Sequence, residues 1–171
     1  MKNLKNEKGI GLVPFILIFV GILVIAGIIV GIIIIDKNLN KEPISFSAFK
    51  DKMEYKDFEI LDTLDQFEDY EYIKKACTAL EEDYEYQIEF YKLDEEDDAI
   101  SFYNTKKEIL ENSKSSPSSK TDKSMGNNSK YTLLTGGKYK VVSRIENTVI
   151  YADVDEKYKD DIKEILKDLG Y

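Results

Sequence analysis

The chain has 171 residues and a formal net charge of −9, with one cysteine and no histidine or tryptophan. A single cysteine rules out an intramolecular disulfide, and the missing histidines remove the usual soft ligands of a zinc site. The first nine residues carry a net charge of +2, which leaves −11 on the rest, and Arg144 is the only arginine. An acidic body without a bidentate guanidinium clamp points away from nucleic acid.

Residues 1–9 read as a basic cytoplasmic tail carrying Lys2, Lys5 and Lys8. From Ile10 to Ile35 the chain is apolar without one charged side chain, longer than the ~18 residues at which a membrane helix becomes the default reading. Lipid offers nothing to backbone N–H and C=O groups, so a helix that satisfies its own is expected over 10–35. Pro14 falls in its first turn, where a missing N–H costs nothing. The run is too long for a secretory signal core and ends in Ile32–Asp36 with no small-residue cleavage site, which favours an uncleaved signal-anchor. Gly27 and Gly31 form a GxxxG spacing that lets two helices approach closely, although glycine is also simply common in membrane helices. The basic tail keeps the N-terminus inside and sends the long domain across.

Residues 36–43 are a polar tether, and 44–171 make one domain, large enough to bury roughly two-thirds of its unfolded surface. Ser45 or Ser47 caps a helix through Tyr55, with Phe46, Phe49 and Met53 on one stripe. Phe58–Leu61 reads as a strand. The stretch 66–83 fits helical spacing, yet a strand over Lys74–Leu80 pairs neatly with the next element, and the hairpin is preferred. Tyr84–Leu93 alternates as a strand, after which Ala99, Phe102, Tyr103, Lys106, Ile109 and Leu110 trace a helix face. Residues 113–130 are low in complexity and read as a flexible insertion.

The clearest pattern comes last. Gly136-Gly137 and Glu146-Asn147 are two-residue turns linking Tyr131–Thr135, Lys138–Ile145 and Thr148–Val154 into a meander. Pairing across Glu146-Asn147 sets Tyr139, Val141, Ser143 and Ile145 against Val154, Ala152, Ile150 and Thr148, with Lys140 facing Asp153. Tyr158, Ile162, Ile165, Leu166 and Leu169 make a closing amphipathic helix that Gly170 ends. The fold class expected is α+β, a single N-terminal transmembrane helix followed by an antiparallel sheet with helices packed on one of its faces.

Lys8-Gly9-Ile10-Gly11-Leu12-Val13 and the apolar run behind it resemble a type IV prepilin leader. That resemblance implies cleavage between Gly9 and Ile10 and packing of the apolar helix into a filament. The family carries glutamate at the fifth position after the cut, where this chain has Pro14. The resemblance covers the N-terminal segment alone.

Candidate chemistry in the domain is sparse. Asp94–Asp98 could hold calcium, but it lacks the alternating ligands and glycine of a calcium loop, and acids in a first helical turn suit the helix dipole. Cys77 has no histidine to activate it and reads as a buried thiol. Tyr84, Tyr86 and Tyr91 suit either a sugar-stacking or partner surface, or sheet packing. Arg144 is the most individual residue: it either holds a carboxylate in a structural ion pair or binds an acidic ligand. No catalytic residue, cofactor or metal is expected. The Lys-, Ile-, Asn- and acid-rich composition resembles that of AT-rich bacterial genomes. The reading is a single-pass protein of a bacterial cell membrane whose extracytoplasmic domain serves binding or assembly in the envelope, with the lipid bilayer and an envelope protein or a second copy as partners. The alternatives are a pilin-like subunit processed after Gly9 and a carboxylate-dependent envelope hydrolase.

Overall fold

A computed structural model describes residues 23–30 and 39–171. Residues 23–30 are helical, and Leu23, Val24, Ile25, Ile28, Ile29 and Val30 are all more than half exposed. Gly27 lies in this helix with nothing within 4 Å of where a Cβ would stand. The rest of the expected span, with Gly31 and the Gly9–Ile10 bond, lies outside the described residues. Among the described residues no helix is long and apolar enough to cross a membrane.

Residues 39–171 form a compact unit of their own. Its elements in chain order are α1 (Phe46–Glu54), β1 (Glu59–Asp62), a 3₁₀ turn (Leu64–Phe67), β2 (Ile73–Leu80), β3 (Gln87–Leu93), α2 (Glu96–Asn112), β4 (Ser118–Met125), β5 (Asn128–Thr135), β6 (Lys138–Ile145), β7 (Thr148–Asp155), a 3₁₀ turn (Glu156–Tyr158) and α3 (Lys159–Asp168). This is an α+β domain on one seven-stranded antiparallel sheet of order β1-β2-β3-β7-β6-β5-β4. Two hairpin ladders, β1–β3 and β4–β7, meet where β7 pairs with β3, and α2 carries the chain from the middle of the sheet to its far edge.

Local chemistry accounts for most boundaries. Ser45 caps α1 by accepting from the Ala48 N–H at 3.2 Å. The strand anticipated from Tyr84 starts only at Gln87, because Tyr84 has φ 59° and belongs to the turn. Across Glu146-Asn147 the register is the one the alternation dictates, Tyr139 with Val154 through Ile145 with Thr148, and Lys140 bridges Asp153 at 2.9 Å.

Three expectations are corrected. The sheet is covered on both faces. One core is built from Cys77, Ala79, Ile88, Phe90, Val141, Ile150 and Val154 under α1 and α3, with Phe49, Met53, Ile162 and Leu166 from the helices. The other lies under α2, where Ala99, Tyr103 and Leu110 meet Ala76, Tyr91, Leu133, Val142 and Val149. Strands apolar on successive residues, such as Val141-Val142 and Val149-Ile150, need both covers.

The flexible insertion at 113–130 is instead largely strand: Ser118–Met125 pairs residue for residue with Asn128–Thr135 as an edge strand. Backbone pairing holds it, since β4 buries almost no side chain. The tether, finally, is not free from Leu39 onward. Asn128 Nδ2 donates to the Leu39 carbonyl at 3.0 Å, Asn127 Nδ2 to the Lys41 carbonyl at 2.8 Å, and the Lys41 N–H to Asn127 Oδ1 at 2.8 Å. Gly126 in the β4–β5 turn has φ +54°, and a Cβ there would stand 2.5 Å from the Leu39 carbonyl oxygen. Only glycine permits both the turn and the docked strap.

Candidate functional site

The residues singled out by sequence do not converge. Arg144 sits on the α2 face of β6, its side chain 6% exposed, and its Nη1 donates to Glu96 Oε1 at 2.8 Å and to the Glu146 carbonyl at 3.0 Å. Glu96 is the first residue of α2, so the pair fixes both the helix start and the β6–β7 turn to the sheet. The Arg144 Nε is buried with no partner among the described residues.

The acidic run disperses. Asp94 pairs with Lys74 at 3.1 Å, Glu96 with Arg144, and Asp98 accepts from the Glu95 backbone N–H at 3.3 Å. Among the described residues no group of three acids, cysteines or histidines is placed to hold a metal ion. The three tyrosines also part company. Tyr84 is exposed and donates to Glu59 at 2.6 Å, Tyr86 lies against Tyr158 with ring centres 4.6 Å apart, and Tyr91 is buried on the opposite face.

Cys77 is buried, and desolvation pushes its thiol up from 9.0 to about 12. Desolvation likewise lifts Tyr86, Tyr139 and Tyr151 from 10.0 to about 12. A group whose pKa is raised on folding contributes stability that is whole below its unfolded pKa and is lost as pH climbs through the folded value. The window is therefore alkaline, opening near 9.0 for Cys77 and 10.0 for the tyrosines. Urea melts at about pH 8 and about pH 11 should show a clear loss at the higher pH. Equal midpoints would mean that these groups ionise without leaving the core.

Of the concave features among the described residues, which the sequence did not suggest, two bear on function. The first is a cleft of about 300 Å³ between the start of β2 and α2, walled by Phe67, Tyr70, Tyr72, Phe102 and Thr105, with Asp98 at its rim. Phe67 stands edge-on to Tyr70 and Tyr91, with centroids at 6.3 and 5.5 Å, and Tyr70 stands edge-on to Tyr72 at 5.8 Å. Tyr70 and Tyr72 keep substantial exposure, so the cleft offers aromatic faces to a ligand. Behind it Lys106 turns inward. Its Nζ lies 4.5 Å from the Tyr151 ring centre and 3.3 Å from Glu89, which also accepts from the Tyr91 hydroxyl. Lys106 was legible as part of the buried helix face, but Ile109, read on the same face, is 54% exposed.

The second is a groove of about 410 Å³ on the opposite face, between α3 and the β4–β5 edge. Its floor is Thr121 and Lys123 of β4 and Thr132 and Lys130 of β5, and Lys159 and Lys163 of α3 form its wall. Lys123 and Lys130 are direct cross-strand partners, as are Thr121 and Thr132. Nothing in the linear sequence marks this cluster, because it exists only once β4 pairs with β5.

No protein-family model, curated protein or solved structure matches the chain. The class of the domain is thus set by its architecture, α+β with one antiparallel sheet between helical layers.

Proposed function

We propose that the chain is a single-pass membrane protein whose α+β domain lies outside the cell membrane and acts by binding rather than by catalysis in a bacterial envelope. The observation that carries this is the uncharged run Ile10–Ile35, set before a domain with two cores of its own. The uncovered apolar side chains of residues 23–30 add support, since a helix apolar all round is at home in lipid. On the domain, charged side chains that a reaction could use, such as Arg144, Glu96 and Glu89, are tied up in pairs. The aromatic cleft offers stacking surfaces, which suits recognition of a ring-bearing ligand or a partner's side chain.

Fractionation tests the anchor. The full chain should stay with membranes through carbonate and high-salt washes and need detergent for release, whereas residues 39–171 alone should be soluble and fold. The cut belongs before Leu39, because removing Leu39–Lys41 would strip the strap from the β4–β5 turn. Release of the full chain by salt alone would sink the spanning helix, and an N-terminus beginning at Ile10 in protein from cells would favour the pilin-like alternative.

A further inference from the structure

The lysine groove is an anomaly in an acidic protein. Acids outnumber Lys and Arg by 33 to 24, yet among the described residues Lys123, Lys130 and Lys159 form no ion pair. Like charges placed directly opposite on a sheet repel, and the Lys123–Lys130 pair does so in a groove whose lining adds the hydroxyls of Ser119, Thr121, Thr132 and Tyr139 but no carboxylate. The one carboxylate bound at the wall, Asp160, is largely exposed and engaged with Lys163 at 2.9 Å. Lys130 is partly buried; desolvation, then Lys41 and Lys123, push its ammonium below its ordinary pKa.

We propose that this groove binds phosphate, and that its physiological occupants are the head groups of anionic phospholipids. The lysines of β4, β5 and α3 that line the groove supply charge, and the Thr121 and Thr132 hydroxyls can donate hydrogen bonds to phosphate oxygens. Lipid is favoured over a free anion by where the chain enters the domain. Leu39–Lys41 is pinned to Asn127 and Asn128, and Lys130 is two residues along the same strand, ~7 Å away. Only residues 36–38 separate that strap from the apolar run. On the membrane reading the chain therefore passes from the apolar run to the β4–β5 turn through three residues of sequence. The inference rests on the membrane reading for its choice of occupant.

The test uses residues 39–171, which contain every side chain of both cores, so it does not depend on whether the apolar run spans. This fragment should co-sediment with phosphatidylcholine vesicles containing roughly one-third phosphatidylglycerol and not with phosphatidylcholine alone. Binding should weaken about fivefold per groove lysine removed, hence about 25-fold for the double variant Lys123→Gln/Lys130→Gln. The charge-matched double variant Lys138→Gln/Lys140→Gln, on the other face, should bind as the unaltered fragment does. The groove variant should melt no lower than the parent, because it removes a repulsion. Equal vesicle binding by the two double variants would overturn the site, as would equal binding to neutral vesicles. Inorganic tripolyphosphate separates the sources: its competition with vesicles supports the shared groove. Lysine-dependent tripolyphosphate binding without vesicle binding would overturn the lipid assignment in favour of a soluble phosphate anion.

Discussion

Phe90→Ala is expected to cost the domain ~3–5 kcal/mol of unfolding free energy, the largest loss from any single truncation considered. Phe90 is fully buried in the middle of β3, flanked by Cys77 on β2 and Ile150 on β7. Its ring stacks on Phe49 of α1 at 4.7 Å and tilts toward Phe46 at 6.0 Å. Truncation therefore removes transfer energy and also leaves a void that a hydrogen-bonded strand on either side cannot close. Ile150→Ala, its cross-strand neighbour, should fall in the ~2–5 kcal/mol range for a buried aliphatic. Urea melts followed by near- and far-ultraviolet circular dichroism would measure both. A loss under ~1 kcal/mol for Phe90→Ala would mean that α1 does not hold the packing described.

Breaking the Arg144–Glu96 pair should also lower stability measurably, by less than the core truncations. Arg144 is nearly enclosed while Glu96 is about half exposed, so the cost lies between that of a surface pair and a buried one, at ~2 kcal/mol for Glu96→Gln. Glu96→Gln leaves a guanidinium under α2 with neutral acceptors alone, among them the Glu146 carbonyl. Arg144→Gln removes that stranded charge along with the pair, so the double variant should lose less than the sum. A double-mutant cycle on melts would give the coupling, expected at ~1–2 kcal/mol. A coupling near zero, with Arg144→Gln melting like the parent, would leave the arginine free for an acidic ligand.

How much of this was legible depended on whether apolar residues marked the element. The β6–β7 hairpin was readable to the residue, because alternation on both strands and the turn at Glu146-Asn147 agree on one register. α1 and α3 carried clear apolar stripes, and α1 a serine cap. The second covered face was written in the adjacent apolar pairs Val141-Val142 and Val149-Ile150, which one solvated face cannot explain. β4 had no such mark: Ser118–Ser124 is polar throughout, and its neighbour's ladder and the positive φ of Gly126 at the turn make it a strand. The lysine groove was illegible for the same reason, since it depends on a pairing between two segments whose pattern is silent. Arg144 stands out by composition, but nothing in the residue pattern singles out Glu96 among 33 acids.

The order of the strands also bears on how the domain is assembled. Every ladder but one joins strands consecutive in the chain, so most pairing is local and closes short loops. The exception is β3 with β7, four residue pairs from Glu89–Tyr151 to Lys92–Thr148. That seam must close over α2 and three further strands, an entropic cost that the hairpins do not bear. It is stapled on both sides: Lys106 of α2 reaches Glu89 on β3 and the Tyr151 ring on β7, while Phe90 and Ile150 share the core beneath α1 and α3. The domain is in this sense two hairpin stacks welded along one line, and side chains from separate helices make the weld.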